Sequence, residues 1–239
     1  MKHLRNLLIF FFSAIDQFFH QKRIKKFIKK QKLKINTFID VGSFEGKYTD
    51  LILKIAHNCK VIMIEPQDKY YNLIKEKYRD NSQIEILQLG LSDKKTKLNL
   101  KINKHEITST FSEFQNENKY LNLKAILFES KLQGMTTKNQ EVNVDKLNEV
   151  LDERNIDQVD LIKIDTEGHE YEVLSGSDNY IKKINCILIE FHTDTIYKNY
   201  SPEKIHKFLI DNNFTLLKTF RFPFTTWEDR LYQNLKFKD

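Results

Sequence analysis

From Thr37 onward the chain alternates short apolar segments with amphipathic ones, and this alternation restricts the fold more than any other feature. The pattern predicts strands over 38–41, 60–64, 84–89, 159–164 and 186–191, and helices over 47–57, 68–79, 145–154, 170–174 and 202–212. Strands separated by helices return parallel to one another, because a parallel pair needs a crossover long enough to hold a helix. The expected fold is therefore α/β: a doubly wound, mostly parallel sheet, closed by an antiparallel pair over 214–219 and 231–235. Asp68 and Asp145 are expected to cap the helices that they open, and Ser201 to cap the helix begun by Pro202.

Residues 92–144 break the rhythm. Segments 97–102 and 141–144 alternate like half-exposed strands, and the polar stretch between them contains Thr108-Ser109-Thr110. They read as an insertion over the edge or mouth of the sheet, partly mobile and of a length usually kept for function. The domain is expected over 36–239, preceded by a basic amphipathic helical segment over 1–35.

The formal net charge of +6 is local in origin. Residues 22–34 carry Lys22, Arg23, Lys25, Lys26, Lys29, Lys30, Lys32 and Lys34 with no acid among them. Such a face is either solvated or turned to an anionic surface. No interleaved aromatic motif supports a nucleic-acid partner. Leu4, Leu8, Phe11, Ile15 and Phe18 recur at helical spacing, so 1–19 reads as an amphipathic helix rather than a signal peptide or a span. It packs on the domain or, with the basic run behind it, lies on a membrane surface through residues 1–34. Cys59 and Cys186 fit no metal spacing and read as buried thiols. A cytoplasmic location follows, with peripheral contact at the inner membrane face as an option.

Chemistry concentrates at strand ends. Asp40-Val41-Gly42-Ser43-Phe44-Glu45-Gly46 joins the first strand to the first helix of the alternation, where doubly wound sheets bind ligands. Asp40 can fix the loop through amide hydrogen bonds, Gly42 permits close approach to a ligand, and Gly46 opens the helix. The third glycine of a dinucleotide fingerprint is missing, and no Lys-Ser/Thr pair follows as in a phosphate loop. This argues against a nicotinamide-dependent oxidoreductase. Glu65, before Pro66, ends the second strand, where an acid can accept both hydroxyls of a ribose. Together the loop and Glu65 predict nucleoside binding without pyrophosphate, which points to S-adenosyl-L-methionine.

The run Asp160-Leu161-Ile162-Lys163-Ile164-Asp165-Thr166-Glu167-Gly168-His169-Glu170, followed by Val173-Leu174-Ser175-Gly176, resembles the signature of the FkbM family of S-adenosylmethionine-dependent methyltransferases. The 40–46 loop resembles the family's glycine motif, with Ser43-Phe44 where Ala-Asn is commoner. Glu65-Pro66 is similar to its ribose acid, Leu89-Gly90-Leu91-Ser92-Asp93 to the turn after its third strand, Val144-Asp145-Lys146-Leu147 to the segment before its fourth strand, and Ile189-Glu190 to its fifth-strand end. The resemblance implies a Rossmann-like class I methyltransferase fold. It also implies methyl transfer, usually to a hydroxyl oxygen, with sugars, glycolipids and secondary metabolites as acceptors. Cofactor contacts are then expected from Asp40, Gly42, Ser43, Gly46, Glu65, Ser92 and Asp165.

A hydroxyl acceptor needs a base as it attacks. His169 is the expected base, with Asp165 or Glu167 orienting it, since an imidazole titrates near neutrality. Glu190 and His192 end the next strand and should face Asp165 and Glu167 if the two strands are neighbours. Four such groups can hold a divalent metal, or form an acceptor-binding rim. The rim is the expectation, since no tight ligand spacing compels a metal. The insertion, Phe222-Pro223-Phe224 and Trp227 are expected to shape the acceptor pocket. A non-catalytic nucleotide-binding scaffold on the same fold is the alternative, disfavoured because it has no need for both Glu65 and the 165–169 cluster.

Overall fold

The computed structural model describes residues 19–104, 106–115, 136–193, 196–222 and 225–238. Residues 1–18 of the apolar helix expected over 1–19, the middle of the insertion, and Pro223 and Phe224 lie outside them.

The alternation folds as expected. In chain order come α1 (Gln21–Lys30), β1 (Thr37–Val41), α2 (Lys47–Leu53), β2 (Lys60–Ile64), α3 (Asp68–Lys77), β3 (Ile84–Leu87), β4 (Gly90–Leu91), β5 (Thr96–Asn103), β6 (Thr136–Asp145), α4 (Leu147–Asp152), β7 (Val159–Ile164), α5 (Glu170–Ser175), β8 (Ile184–His192), α6 (Pro202–Asp211), β9 (Phe214–Arg221) and β10 (Trp227–Asn234). Seven strands form one sheet in the order β3-β2-β1-β7-β8-β10-β9. The first five are parallel, and β10 runs antiparallel between β8 and β9. This is the closing pair, with β10 inserted beside β8 rather than at the edge.

The central strands are apolar on both faces, as a sheet covered on both sides requires. Ile39, Val41, Ile62, Ile64, Ile162, Ile164, Ile187 and Ile189 point into one core with α4, α5 and α6. Phe38, Val61, Met63, Leu161, Cys186 and Leu188 point into the other, closed by Ile24 and Ile28 of α1 and Leu51 and Ile52 of α2. Each such side chain, fully buried, contributes roughly 1.5–3 kcal/mol. Both cysteines are buried free thiols.

Two expected caps are corrected. Gln67 precedes α3, and Asp68 is its first helical residue. Asp145 ends β6 and pairs with Leu91, so α4 begins at Leu147. The strand runs on through Asp145, whose carbonyl accepts from the Ser92 amide. Ser201 does cap α6, accepting from the Lys204 amide at 3.1 Å. The two alternating segments of the insertion are β5 and β6, an antiparallel pair that forms a three-stranded sheet with β4. Among the described residues no helix is long and apolar enough to cross a membrane.

Candidate active site

The register of the strands decides what the carboxyl edge presents. Val41 pairs with Ile64 and Ile164, Ile164 with Ile189, and Glu190 with Asp229. Asp165, one residue beyond Ile164, therefore stands beside Glu190, with Asp229 on the far side. Side chains alternate faces along a strand, so Asp40, Lys163, Asp165, Glu190, His192 and Asp229 all project to the face that carries α1 and α2.

The glycine loop crosses the end of β2. The amides of Gly42 and Ser43 donate to the Ile64 carbonyl at 3.0 and 3.1 Å. The Ser43 hydroxyl donates to the Asp40 carbonyl at 2.7 Å and accepts from the Ile64 amide at 3.1 Å, so it serves the loop itself. Gly42 has φ +76°, and a Cβ there would lie 1.9 Å from the Asp165 carbonyl oxygen. Its close approach, expected toward a ligand, is toward Asp165. Gly46, at φ +74°, is likewise closed in by the Tyr78 hydroxyl, 2.9 Å from its carbonyl. Phe44 is left-handed at φ +45°, which aims its amide at Glu65.

Glu65 is buried, with Oε2 accepting from the Phe44 amide and Oε1 from the Gln67 amide, both at 2.8 Å. Burial outweighs these bonds and pushes its carboxyl up to about 7. Asp40 is pushed to about 6 by burial, although the Thr49 hydroxyl donates to it at 2.7 Å and Lys163 is near. Each carboxylate oxygen of Glu65 retains an acceptor lone pair.

Lys163 is buried at the centre. Its Nζ lies 2.9 Å from Asp165 Oδ2 and 3.4 Å from Asp229 Oδ1, with the Tyr48 ring at 4.7 Å. Burial opposes its charge, but Asp165, Asp229 and Glu190 together hold its pKa above the usual lysine value. Asp229 Oδ2 also accepts from Tyr48 at 2.7 Å and meets His20 Nε2 at 2.8 Å. Burial alone would raise Asp229; Lys163 and the His20 and Tyr48 hydrogen bonds reverse this and keep it well below the usual carboxylate range.

Beyond Asp165 the chain turns through Thr166, Glu167 and Gly168 into α5. Glu167 is left-handed at φ +53°, a conformation that costs a non-glycine residue free energy and clusters at functional sites. The turn is held from two sides. Buried Glu170 accepts from the amides of Thr166 and Gly168 at 2.9 and 3.1 Å. Thr110 and Ser112 of the insertion donate their hydroxyls to the carbonyls of Glu167 and Gly168. Gly168, φ +95°, leaves room for the Tyr197 ring, whose hydroxyl bonds Glu167.

Glu167 thus meets the end of β8. His192 Nε2 lies 3.2 Å from Glu190 Oε2 and 3.8 Å from Glu167 Oε2. The His192 ring is set edge-on against Tyr197 and Tyr200. Glu190 is buried, and burial together with Asp165 and Glu167 raises its pKa well above the ordinary value.

His169 points elsewhere. Its Nε2 is 3.0 Å from the Ser92 hydroxyl, its ring rests near Phe111, and its nearest acid is Glu172 at 3.7 Å. The expected pairing with Asp165 or Glu167 is corrected: Asp165 turns to Lys163, and Glu167 to Tyr197 and His192. The cause is the left-handed turn at Glu167 and Gly168, which swings the next side chain to the other side of the loop. Ser92 goes with His169, and its carbonyl packs against Gly176. Lys163, Tyr197, His20 and Asp229 were missed. A lysine inside an apolar strand run is the one signal that sequence offered for them.

The strand order with β10 inserted antiparallel, the glycine loop over β2 and an acid at the end of β2 describe one fold class. A methyltransferase FkbM domain matches residues 40–216, most of the chain. The chain belongs to the FkbM methyltransferase family. Its methyl donor is S-adenosyl-L-methionine. Magnesium protoporphyrin IX methyltransferase from Synechocystis PCC 6803, with S-adenosylhomocysteine bound, is 10% identical with a TM-score of 0.51, over 90% of this chain and 81% of that one. TrmK of M. capricolum, in complex with the same product, is 11% identical over 91% and 68% of the chains, TM-score 0.49. The first likeness shows the Rossmann-like fold shared with this methyltransferase. Among curated proteins, none matches its sequence.

Proposed function

We propose that this methyltransferase acts on a hydroxyl oxygen of a sugar, glycolipid or related metabolite. The observation that carries the proposal is the gathering of Glu167, Glu190 and His192 beside Asp165, at the end of the strand that abuts the glycine loop. The donor set also fits the cofactor. Glu65 offers two free lone pairs to a ribose diol, with Asp40 behind the loop and Asp165 at the junction toward the acceptor. S-adenosylmethionine supplies a methyl group already activated on a sulfonium sulfur. The protein's own work is then to align an oxygen with that carbon and to handle one proton. Glu167, Glu190 and His192 accept the acceptor hydroxyl and its proton. Lys163 holds Asp165 and Asp229 in place behind them. His169 supports the turn from the side of Ser92.

The test is transfer of isotopically labelled methyl from S-adenosylmethionine to a panel of glycans, glycolipids and nucleosides. The expected product is a base-stable ether. Labelled amine or carbon products refute the oxygen assignment, and S-adenosylhomocysteine binding without any turnover across the panel favours the scaffold alternative.

A further inference from the structure

Glu167, Glu190 and His192 offer one ligand atom each, and these atoms lie within 4.8 Å of one another. Two of them are unsatisfied. Glu190 Oε2 and His192 Nε2 are buried and, 3.2 Å apart, are not aligned as a hydrogen bond; His192 Nε2 is also 3.8 Å from Glu167 Oε2, and neither atom has a hydrogen-bond partner among the described residues. A buried polar atom left without a partner costs about 1–3 kcal/mol, and native proteins seldom keep two together. The residues themselves are 8% and 4% exposed, so solvent is a poor substitute.

The charges point the same way. Lys163 is within ion-pair distance of both Asp165 and Asp229, and His20 adds a contact to Asp229. Glu190 adds to the field that keeps Lys163 charged, but neither Glu167 nor Glu190 has a Lys or Arg within ion-pair distance among the described residues; both have His192 beside them. Two carboxylates facing one imidazole across a buried gap match the charge of one divalent cation. The ring is already oriented by Tyr197 and Tyr200, and the Tyr197 hydroxyl bonds Glu167, the kind of support that metal ligands receive from their surroundings.

We infer that Glu167, Glu190 and His192 form a binding site for a divalent cation of the Mn²⁺ or Zn²⁺ class, facing the acceptor. Two carboxylate oxygens and one imidazole nitrogen suit such ions, and three protein ligands leave positions open for substrate oxygen. A small inward movement of the three side chains brings the ligand atoms to bonding distances near ~2.0–2.2 Å. With the cation in place the three side chains act as its ligands rather than as the base, and an acceptor hydroxyl bound there loses its proton to solvent water more readily, as water does on a bound cation. Its oxygen pair then forms the new bond to the methyl carbon while the carbon–sulfur pair leaves with sulfur, giving the thioether. A vicinal diol can chelate the ion, which favours a sugar. The role in transfer rests on the proposed hydroxyl acceptor; binding of the cation does not.

The experiment uses the full chain, stripped with chelator and titrated with Mn²⁺ alone. Free Mn²⁺ is followed by electron paramagnetic resonance, and S-adenosylhomocysteine affinity is measured in parallel. The expected result is roughly one Mn²⁺ per chain, displaced by Zn²⁺, with nitrogen modulation from a bound imidazole in the echo-envelope spectrum. Glu190→Gln and His192→Ala should each weaken Mn²⁺ by at least about tenfold while S-adenosylhomocysteine still binds, which shows them folded. Absence of Mn²⁺ binding, absence of nitrogen modulation in the wild-type chain, or wild-type Mn²⁺ affinity in both variants overturns the site. If S-adenosylhomocysteine binds and Mn²⁺ does not, the cation fails and methyl transfer stands. If the cation binds and every transfer assay yields only amine products, the site stands and the hydroxyl reading fails.

Discussion

On the ribose role proposed for Glu65, binding of S-adenosylhomocysteine should tighten as pH rises through neutrality, because the carboxyl must be ionised to accept two hydroxyls. Its carboxyl is pushed to about 7 by burial. With that value the ionised fraction falls from about nine-tenths at pH 8 to about one-quarter at pH 6.5. Apparent affinity scales with the competent fraction, so Kd should rise about fourfold over this interval. Asp40, at about 6, titrates mostly below the window. The assay is isothermal titration at several pH values in two buffers of different ionisation enthalpy, which also counts the proton released. Glu65→Gln should bind more weakly and without the slope. A flat Kd in the wild type, or the same slope in Glu65→Gln, refutes the reasoning. The same shift has a sign for stability. A carboxyl raised in the folded state favours folding below its unfolded pKa, and that advantage is lost as pH rises through the folded value. Without cofactor, stability should therefore fall between about pH 4.5 and 7, by about 3 kcal/mol for Glu65 alone.

Other perturbations separate the roles assigned along the strand ends. Gly42→Ala places a Cβ against the Asp165 carbonyl at positive φ, and should lower stability in urea by at least about 2 kcal/mol; a smaller loss means the loop can move away. Lys163→Met leaves Asp165 and Asp229 without their buried partner and should cost about 3–5 kcal/mol, read from the same denaturation curves. His192→Ala should reduce turnover by about 10²-fold or more, whereas His169→Ala should keep most of it; lost turnover in His169→Ala at unchanged melting temperature returns the base to His169. Thr110→Val with Ser112→Ala should lower kcat by loosening the turn at Glu167 and leave S-adenosylhomocysteine affinity unchanged; equal loss in both measurements refutes that division.

The sequence by itself determined the sheet and the local motifs at its carboxyl edge. Strand period, helix period and a glycine loop followed by an acid are local properties, carried by residues close together in the chain, and so Thr37–Val41, Lys60–Ile64 and Val159–Ile164 were legible within a residue or so. Whether the strands leading to Asp165 and Glu190 are neighbours was left open by that pattern; the pairing of Ile164 with Ile189 decides it. Tertiary structure decided which groups face one another. A left-handed turn at Glu167 and Gly168 sends His169 to Ser92 and Glu167 to His192. Insertion of β10 beside β8 sets Asp229 against Lys163. The packing of α1 brings His20 to the same carboxylate. Those contacts join residues far apart in sequence, and no periodicity encodes them. They depend on backbone φ at two residues and on the register of an antiparallel strand, which only the packed molecule fixes.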